Sequence, residues 1–354
     1  MSVETIPFQP LGNYGRLIET IGQGAYGRVS LTSQGYVIKT IINEGDGSPQ
    51  QASLREITSL LKLNSSPYII PLVDVELGER STSLVLPLAD ETLVNVIDNP
   101  YYDLRNIVTQ IGLGLADIHN ANILHLDLKP ENILLYDLPP LLSSESLLDE
   151  KEAPYQKAKV WLADLGGSMI HRCAFKGSYE EAITLWYRPP ELLLGGPITN
   201  KADVWAFGVI VTEMLLSRKT RRLTRLFHDK SELGLVNTIF YNFGTPLPGS
   251  PLTQLPEWNR LDVSLRTYPN IFLQVLREYG LSKQEIDLIT YILNPDYTQR
   301  PSIFQVLMHP WFHLNEYPVE LSCQEILLRY EGIPGYPQEV LLNESRSNGV
   351  AMII

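Results

Sequence analysis

The chain has 354 residues, 44% hydrophobic and 19% charged, a globular composition with enough apolar surface to offset the ordering entropy of a folded core. Its 28 basic residues against 40 acidic ones give a net charge of −12, which argues against a sequence-independent phosphate-binding surface and leaves nucleic acid out of the expected partners. No run of about 18 apolar residues marks a membrane span, the opening MSVETIPFQP lacks a secretion pattern, and two cysteines are too few for a disulfide framework, so a reducing compartment, cytoplasm or nucleus, is expected.

Residues 14–89 alternate short β-type runs, among them Gly35 to Ile42 and Leu84 to Leu88, with one helical segment, Gln51 to Leu63, in which Leu54, Ile57, Leu60 and Leu61 recur at helical spacing. The pattern predicts a small sheet carrying one helix. Residues 90–313 hold longer periodic segments: Leu104 to Asn120 and Val204 to Leu216 read as buried or amphipathic helices of a larger, mainly helical unit. Between them, residues 137–159 are rich in Pro, Ser and acid, the composition of a solvated insertion. The basic cluster from Arg218 to Arg225 reads as a solvated helix face or loop that could dock an acidic protein segment. Beyond Phe312 the pattern weakens, and residues 314–354 are expected to be a tail packed partly on the large unit.

The run Gly22-Gln23-Gly24-Ala25-Tyr26-Gly27, with Val29 just beyond it, is a glycine-rich loop through which backbone N–H groups can approach phosphates. The next twelve residues, RVSLTSQGYVIK, are strand-like, so a hairpin fits better than the strand-to-helix turn of a dinucleotide fold. Lys39 ends that strand 17 residues after Gly22 (39 − 22), where its ammonium can reach the α- and β-phosphates of a nucleotide. Glu56, another 17 residues on (56 − 39), faces inward on the predicted helix and is the candidate partner that fixes Lys39.

His125-Leu126-Asp127-Leu128-Lys129-Pro130-Glu131-Asn132 places a carboxylate, an ammonium and an amide within six residues, between apolar flanks that imply strands. Asp127 suits orienting a hydroxyl and accepting its proton, Lys129 suits offsetting charge on a moving phosphoryl group, and Asn132 suits holding Mg2+. Asp164-Leu165-Gly166, after Val160-Trp161-Leu162-Ala163, supplies a second carboxylate for the metal. With Lys39, these residues provide the electrostatic parts that phosphoryl transfer requires.

The glycine loop, Lys39, Glu56, HLDLKPEN, DLG, Pro189-Pro190-Glu191, Asp203-Val204-Trp205-Ala206-Phe207-Gly208 and Arg300 occur in the order found in eukaryotic protein kinases, and over residues 14–313 the chain resembles that family. The resemblance implies an α+β two-lobed fold, with a β-rich N-lobe at 14–89, a helical C-lobe at 90–313, and ATP and Mg2+ as ligands. It also implies an ion pair between Glu191 and Arg300, contacts from Asp203 to the backbone of the catalytic loop, and a bridge by Thr184 between Asp127 and Lys129. The adenine site falls by the same register on Leu86, the backbone of Pro87 and Ala89, and the apolar Val29, Val37 and Leu134. Thr184 to Gly195 and the stretch from Ser231 to Pro246 resemble the cyclin-dependent kinase group, and the Lys129 loop resembles that of serine/threonine kinases. Pro256-Glu257-Trp258-Asn259 is similar to a loop of fungal single-subunit kinases that activate cyclin-dependent kinases, which implies a monomer with such a kinase as protein substrate.

The chain departs from the family in three places. Leu126 and Met169 stand where most relatives carry arginines that bind an activation-segment phosphate, which leaves Arg55 of the usual three; the phosphorylated position falls on Tyr179. The expectation is a segment ordered without phosphorylation, helped by Glu180 or Glu181 reaching Arg55. Asp127 and Asp164 are 37 residues apart (164 − 127), about twice the family spacing, because of the 137–159 insertion. Leu165 replaces the usual phenylalanine, a change that conserves apolar volume. Leu126 would favour a scaffold that binds partners without transfer, but Lys39, Asp127 and Asp164 are all present; small-molecule kinase activity is the third reading, and the segment Thr184 to Gly195 speaks against it.

Overall fold

The structure, a computed structural model, describes residues 13–23, 27–138, 157–170, 184–261 and 267–313. Gly24, Tyr179, Glu180, Glu181, most of the 137–159 insertion and the 314–354 tail lie outside the described residues.

The upper lobe is a five-stranded antiparallel sheet built from β1 (Leu17–Gln23), β2 (Gly27–Thr32), β3 (Tyr36–Ile42), β4 (Asp74–Leu77) and β5 (Ser81–Pro87), in the order β1-β2-β3-β5-β4. One helix, α1 (Gln51–Lys62), joins β3 to β4. Val29 pairs with Lys39, and Val37 with Leu86. Because side chains alternate along a strand, these four residues share one face of the sheet. A Cβ on Gly27 would lie 2.2 Å from the Thr40 carbonyl oxygen, so this glycine lets β2 lie against the backbone of β3 and serves the fold directly. A Cβ on Gly22 would make ordinary contact with Val29.

The expected apolar stripe on α1 is corrected by its burial. Leu60 is buried, but Leu54 is 38% exposed and Leu61 62%, and the inward face carries Ser53, Glu56 and Ser59. Glu56 and Ser59 face the interior because they engage the site beneath the helix, while Leu54 and Leu61 face outward.

The lower lobe begins with β6 (Glu91–Thr92), α2 (Leu93–Val96), α3 (Leu104–Asn120) and β7 (Ile123–Leu124). Strands β8 (Ile133–Tyr136) and β9 (Lys159–Leu162) form a small sheet with β6, and β10 (Met169–Ile170) pairs with β7. Helices α4 (Pro190–Leu193), α5 (Asn200–Thr220), α6 (Glu232–Phe243), α7 (Phe272–Glu278), α8 (Lys283–Ile292) and α9 (Ile303–Leu307) complete it. Asp103, Thr199 and Ser231 cap α3, α5 and α6, and Ser282 with Glu285 and Ser302 with Gln305 form capping boxes on α8 and α9. Helix α5 is buried continuously from Ala202 to Ser217, which makes it the axis of the lobe. Gly208 lets α8 approach it, since a Cβ there would meet Ile292 at 2.6 Å.

The lobes are joined behind α1. Ile70 N donates to Leu162 O at 3.0 Å and Leu162 N to Tyr68 O at 2.8 Å, so the chain leaving α1 zips onto β9. Ser66 Oγ donates to Asp117 at 2.6 Å, and Lys62 reaches the Ala121 carbonyl at the end of α3. These contacts fix the lysine-bearing sheet relative to the strand that leads into Asp164.

The basic cluster also needs correction. Arg225 folds inward, donating to the buried Glu213 at 3.1 Å and to Glu131 at 3.0 Å, and Arg218 donates to Tyr102 O at 2.9 Å. Arg221 and Arg222 stay exposed.

Candidate active site

Lys39 Nζ lies 2.8 Å from both Glu56 oxygens and 2.7 Å from Asp164 Oδ1. Burial disfavours the Lys39 charge, but Glu56 and Asp164 outweigh it and hold the ammonium above the ordinary lysine value. On Asp164, burial opposes ionisation and Lys39 prevails, so this carboxyl lies below the ordinary aspartate value. Burial lifts Glu56, which Lys39 only partly offsets. Asp164 has a left-handed backbone, φ 62°, the conformation that turns its carboxylate toward Lys39 as β9 ends.

A second cluster surrounds Asp127. Lys129 Nζ donates to Asp127 Oδ2 at 2.6 Å and to Thr184 Oγ1 at 2.9 Å. Thr184 Oγ1 in turn donates to Asp127 Oδ1 at 2.7 Å, its backbone N–H to the same oxygen at 3.1 Å, and Asn132 Nδ2 to Asp127 Oδ2 at 3.1 Å. Asn132 also donates to the Asp127 carbonyl at 2.8 Å, and its own carbonyl accepts from Ala163 N at 2.9 Å, which links this cluster to the Asp164 turn. The carboxylate of Asp127 therefore accepts four hydrogen bonds, and its direction is fixed.

The loop carrying Asp127 is anchored from below. Buried Asp203 accepts from His125 N at 2.9 Å and Leu126 N at 2.8 Å, and its Oδ2 lies 2.9 Å from His119 Nε2. Burial opposes the Asp203 charge, yet the His119 bond and the loop amides hold the carboxyl below the ordinary value. They also stabilise Leu126 at φ 63°, a conformation costly for a side chain of this size. Further out, Arg300 forks onto Glu191 at 2.7 and 2.9 Å, with both side chains buried.

Val29, Val37, Leu86 and Leu134 belong to one apolar cluster, between the upper sheet and β8, and Pro87 and Ala89 form the half-buried link from β5 to β6. Leu165 is fully buried in the same cluster. Sequence reasoning missed His119, Ser59, Ser168 and the knot of Glu131, Glu213, Tyr187 and Arg225. His119 and Ser59 lie 84 and 109 residues from their partners, and the signal that could have found Ser59, His119 and Glu213 was a polar residue in a helical run of apolar neighbours.

The donors available to a metal are the Asp164 carboxylate and the Asn132 amide oxygen, an oxygen-only pair that fits Mg2+ with phosphate and water completing its shell. Among the described residues no group of three or more His, Cys, Asp or Glu side chains forms a metal cluster, and no helix is long and apolar enough to cross a membrane.

The sequence profile of the protein kinase domain family matches residues 16–312. The chain is 29% identical over 333 residues to cell division control protein 2 homolog 2 of Trypanosoma brucei brucei, covering 89% of this chain and 86% of that protein. Its fold is similar to a chain in the crystal structure of the yeast RNA Pol II CTD kinase CTDK-1 complex, with a TM-score of 0.67 and 22% identity over 90% of this chain and all of that one.

Proposed function

The chain belongs to the protein kinase family, and from that premise we propose that it is a serine/threonine kinase that moves the γ-phosphoryl group of ATP to a protein hydroxyl in the presence of Mg2+. The observation that carries this reading is Asp127 held by Lys129, Thr184 and Asn132, and tied through Asn132 to the turn where Lys39, Glu56 and Asp164 meet. Lys39, fixed between two carboxylates, offers its charge to the α- and β-phosphates. Asp127 orients the substrate hydroxyl and takes its proton as transfer proceeds. Lys129 offsets negative charge on the moving phosphoryl group. Asp164 and Asn132 hold Mg2+, which neutralises phosphate charge when bound. Val29, Val37, Leu86 and Leu134 enclose the adenine, with the Pro87 carbonyl and the Ala89 backbone at its edge; proline serves there because the contact uses its carbonyl. Purified protein incubated with ATP, Mg2+ and serine, threonine and tyrosine peptides tests this: transfer to the first two is expected, and transfer to tyrosine alone, or to none, refutes it.

A finer reading makes the substrate the activation-segment threonine of a cyclin-dependent kinase, and the enzyme a monomer of the cytoplasm or nucleus. It is supported by the Pro256 to Asn259 resemblance and by Leu126 and Met169, which belong to one apolar cluster with Leu124, Leu192, Ile198 and Ala202. Apolar side chains where relatives carry phosphate-binding arginines favour activity without an upstream kinase. Failure to phosphorylate that threonine in an inactive cyclin-dependent kinase would overturn the finer reading alone.

A further inference from the structure

Two buried hydroxyls meet between α1 and the turn after Asp164. Ser59 Oγ and Ser168 Oγ are 2.8 Å apart, and both residues are buried. Ser59 stands one helical turn after Glu56 and Ser168 four residues after Asp164, so the bond joins the two segments whose carboxylates share Lys39. Between Asp164 and Ser168 lie Gly166 and Gly167, the residues with the most backbone freedom to lose on ordering. Two further bonds hold this stretch: Ser168 N donates to Leu165 O at 3.0 Å, and Arg55 Nε donates from α1 to Gly166 O at 3.1 Å.

The neighbours explain why hydroxyls matter there. Leu60 beside Ser59 and Leu165 before the glycines are both buried and apolar. Packing alone would be met by alanine, which also favours a helix more than serine does. In such surroundings Ser59 and Ser168 satisfy each other, and their bond forms when α1 and the turn are in register.

We propose that Ser59 and Ser168 are a positioning pair: their hydrogen bond sets the register of α1 against the Asp164 turn, and through it the coordination of Mg2+ by Asp164. The inference rests on the kinase reading, and it places both residues outside the set that touches substrate. Deleting one hydroxyl leaves the other buried and unpaired, whereas deleting both is close to neutral for folding. Stability and positioning therefore separate in the double variant.

The test compares wild type, Ser59→Ala, Ser168→Ala and Ser59→Ala/Ser168→Ala by Tm, kcat, peptide KM, and the Mg2+ concentration giving half-maximal ATP binding by calorimetry. The single variants should lose Tm and the double variant recover it, while all three show kcat lower by about three- to tenfold, the worth of one hydrogen bond. They should need correspondingly more Mg2+ for ATP binding, with peptide KM unchanged. Recovery of kcat together with Tm in the double variant, or an unchanged Mg2+ requirement, would overturn the proposal. If wild type binds Mg2+ and ATP but transfers nothing, the kinase reading fails, and the Mg2+ requirement of the double variant still decides the role of the pair.

Discussion

Thr184 and Asp127 are joined twice, the threonine hydroxyl donating to Asp127 Oδ1 at 2.7 Å and its amide to the same oxygen at 3.1 Å. The hydroxyl also accepts from Lys129, so one side chain orders both charged groups of the loop. Thr184→Val keeps the volume and the amide bond but removes both hydroxyl contacts, each worth about 1 kcal/mol. The expected result is a fall in kcat of about tenfold or more with a modest fall in Tm. Full activity in the valine variant would show that the hydroxyl is dispensable.

The carboxylates Asp127 and Asp164 should separate on substitution. Asp127→Asn is expected to keep ATP binding and lose nearly all transfer, since its partners orient it for the hydroxyl. Asp164→Asn should lose Mg2+-dependent nucleotide binding as well. Lys39→Arg should disable transfer, because a planar fork cannot take the place of a point charge 2.8 Å from both oxygens of Glu56. Calorimetry with ATP and Mg2+, read beside a peptide assay, distinguishes these losses.

Arg300 is the only described cation on Glu191 in a buried ion pair, and it also donates to the carbonyls of Asn294 and Lys201. Arg300→Met leaves the Glu191 charge without compensation and should cost about 3–5 kcal/mol. A lowered urea midpoint with an unchanged slope is the expected signature.

The anchor at Asp203 predicts a pH dependence of stability. Its folded carboxyl lies below the ordinary value of 3.8, so its contribution is complete above that value and disappears as pH falls through the lower folded pKa. Asp203→Asn should cost about 2–3 kcal/mol near neutrality, the worth of hydrogen bonds to a charged group. The gap between wild type and variant should stay constant from neutral pH downward and begin to close only below about pH 4. A gap that already closes well above pH 4 would overturn this account of Asp203.

Regulation is tested at Leu126 and Met169. Met169 pairs with Leu124 across the β7–β10 ladder, and the cluster beneath it is apolar, a poor receptor for phosphate. Phosphatase treatment and Tyr179→Phe should both leave turnover unchanged. A large loss of activity on dephosphorylation would overturn this reading.

Much of the architecture is legible in the sequence because it is local. The β-type run over Tyr36–Ile42 and the helical period over Leu104–Asn120 each reflect chain geometry within a few turns or strands, and Lys39, Glu56, Asp127 and Asp164 are legible from the motifs around them. The same local logic fails for α1, where period places Leu54 and Leu61 inward although Ser53, Glu56 and Ser59 occupy that face. Periodicity measures the chance of burial against apolar neighbours; it cannot see a carboxylate or hydroxyl whose partner arrives from 109 or more residues away, as Ser168 does for Ser59 and Asp164 does for Lys39. Arg225 is the same case, a surface charge by its neighbours and an inward one by its bonds to Glu131 and Glu213. The residue types at the site were thus a matter of sequence, whereas which polar groups pair across the interior was decided only by the tertiary structure, because Ser59, Lys39 and Arg225 find partners on segments that only folding brings within hydrogen-bond distance.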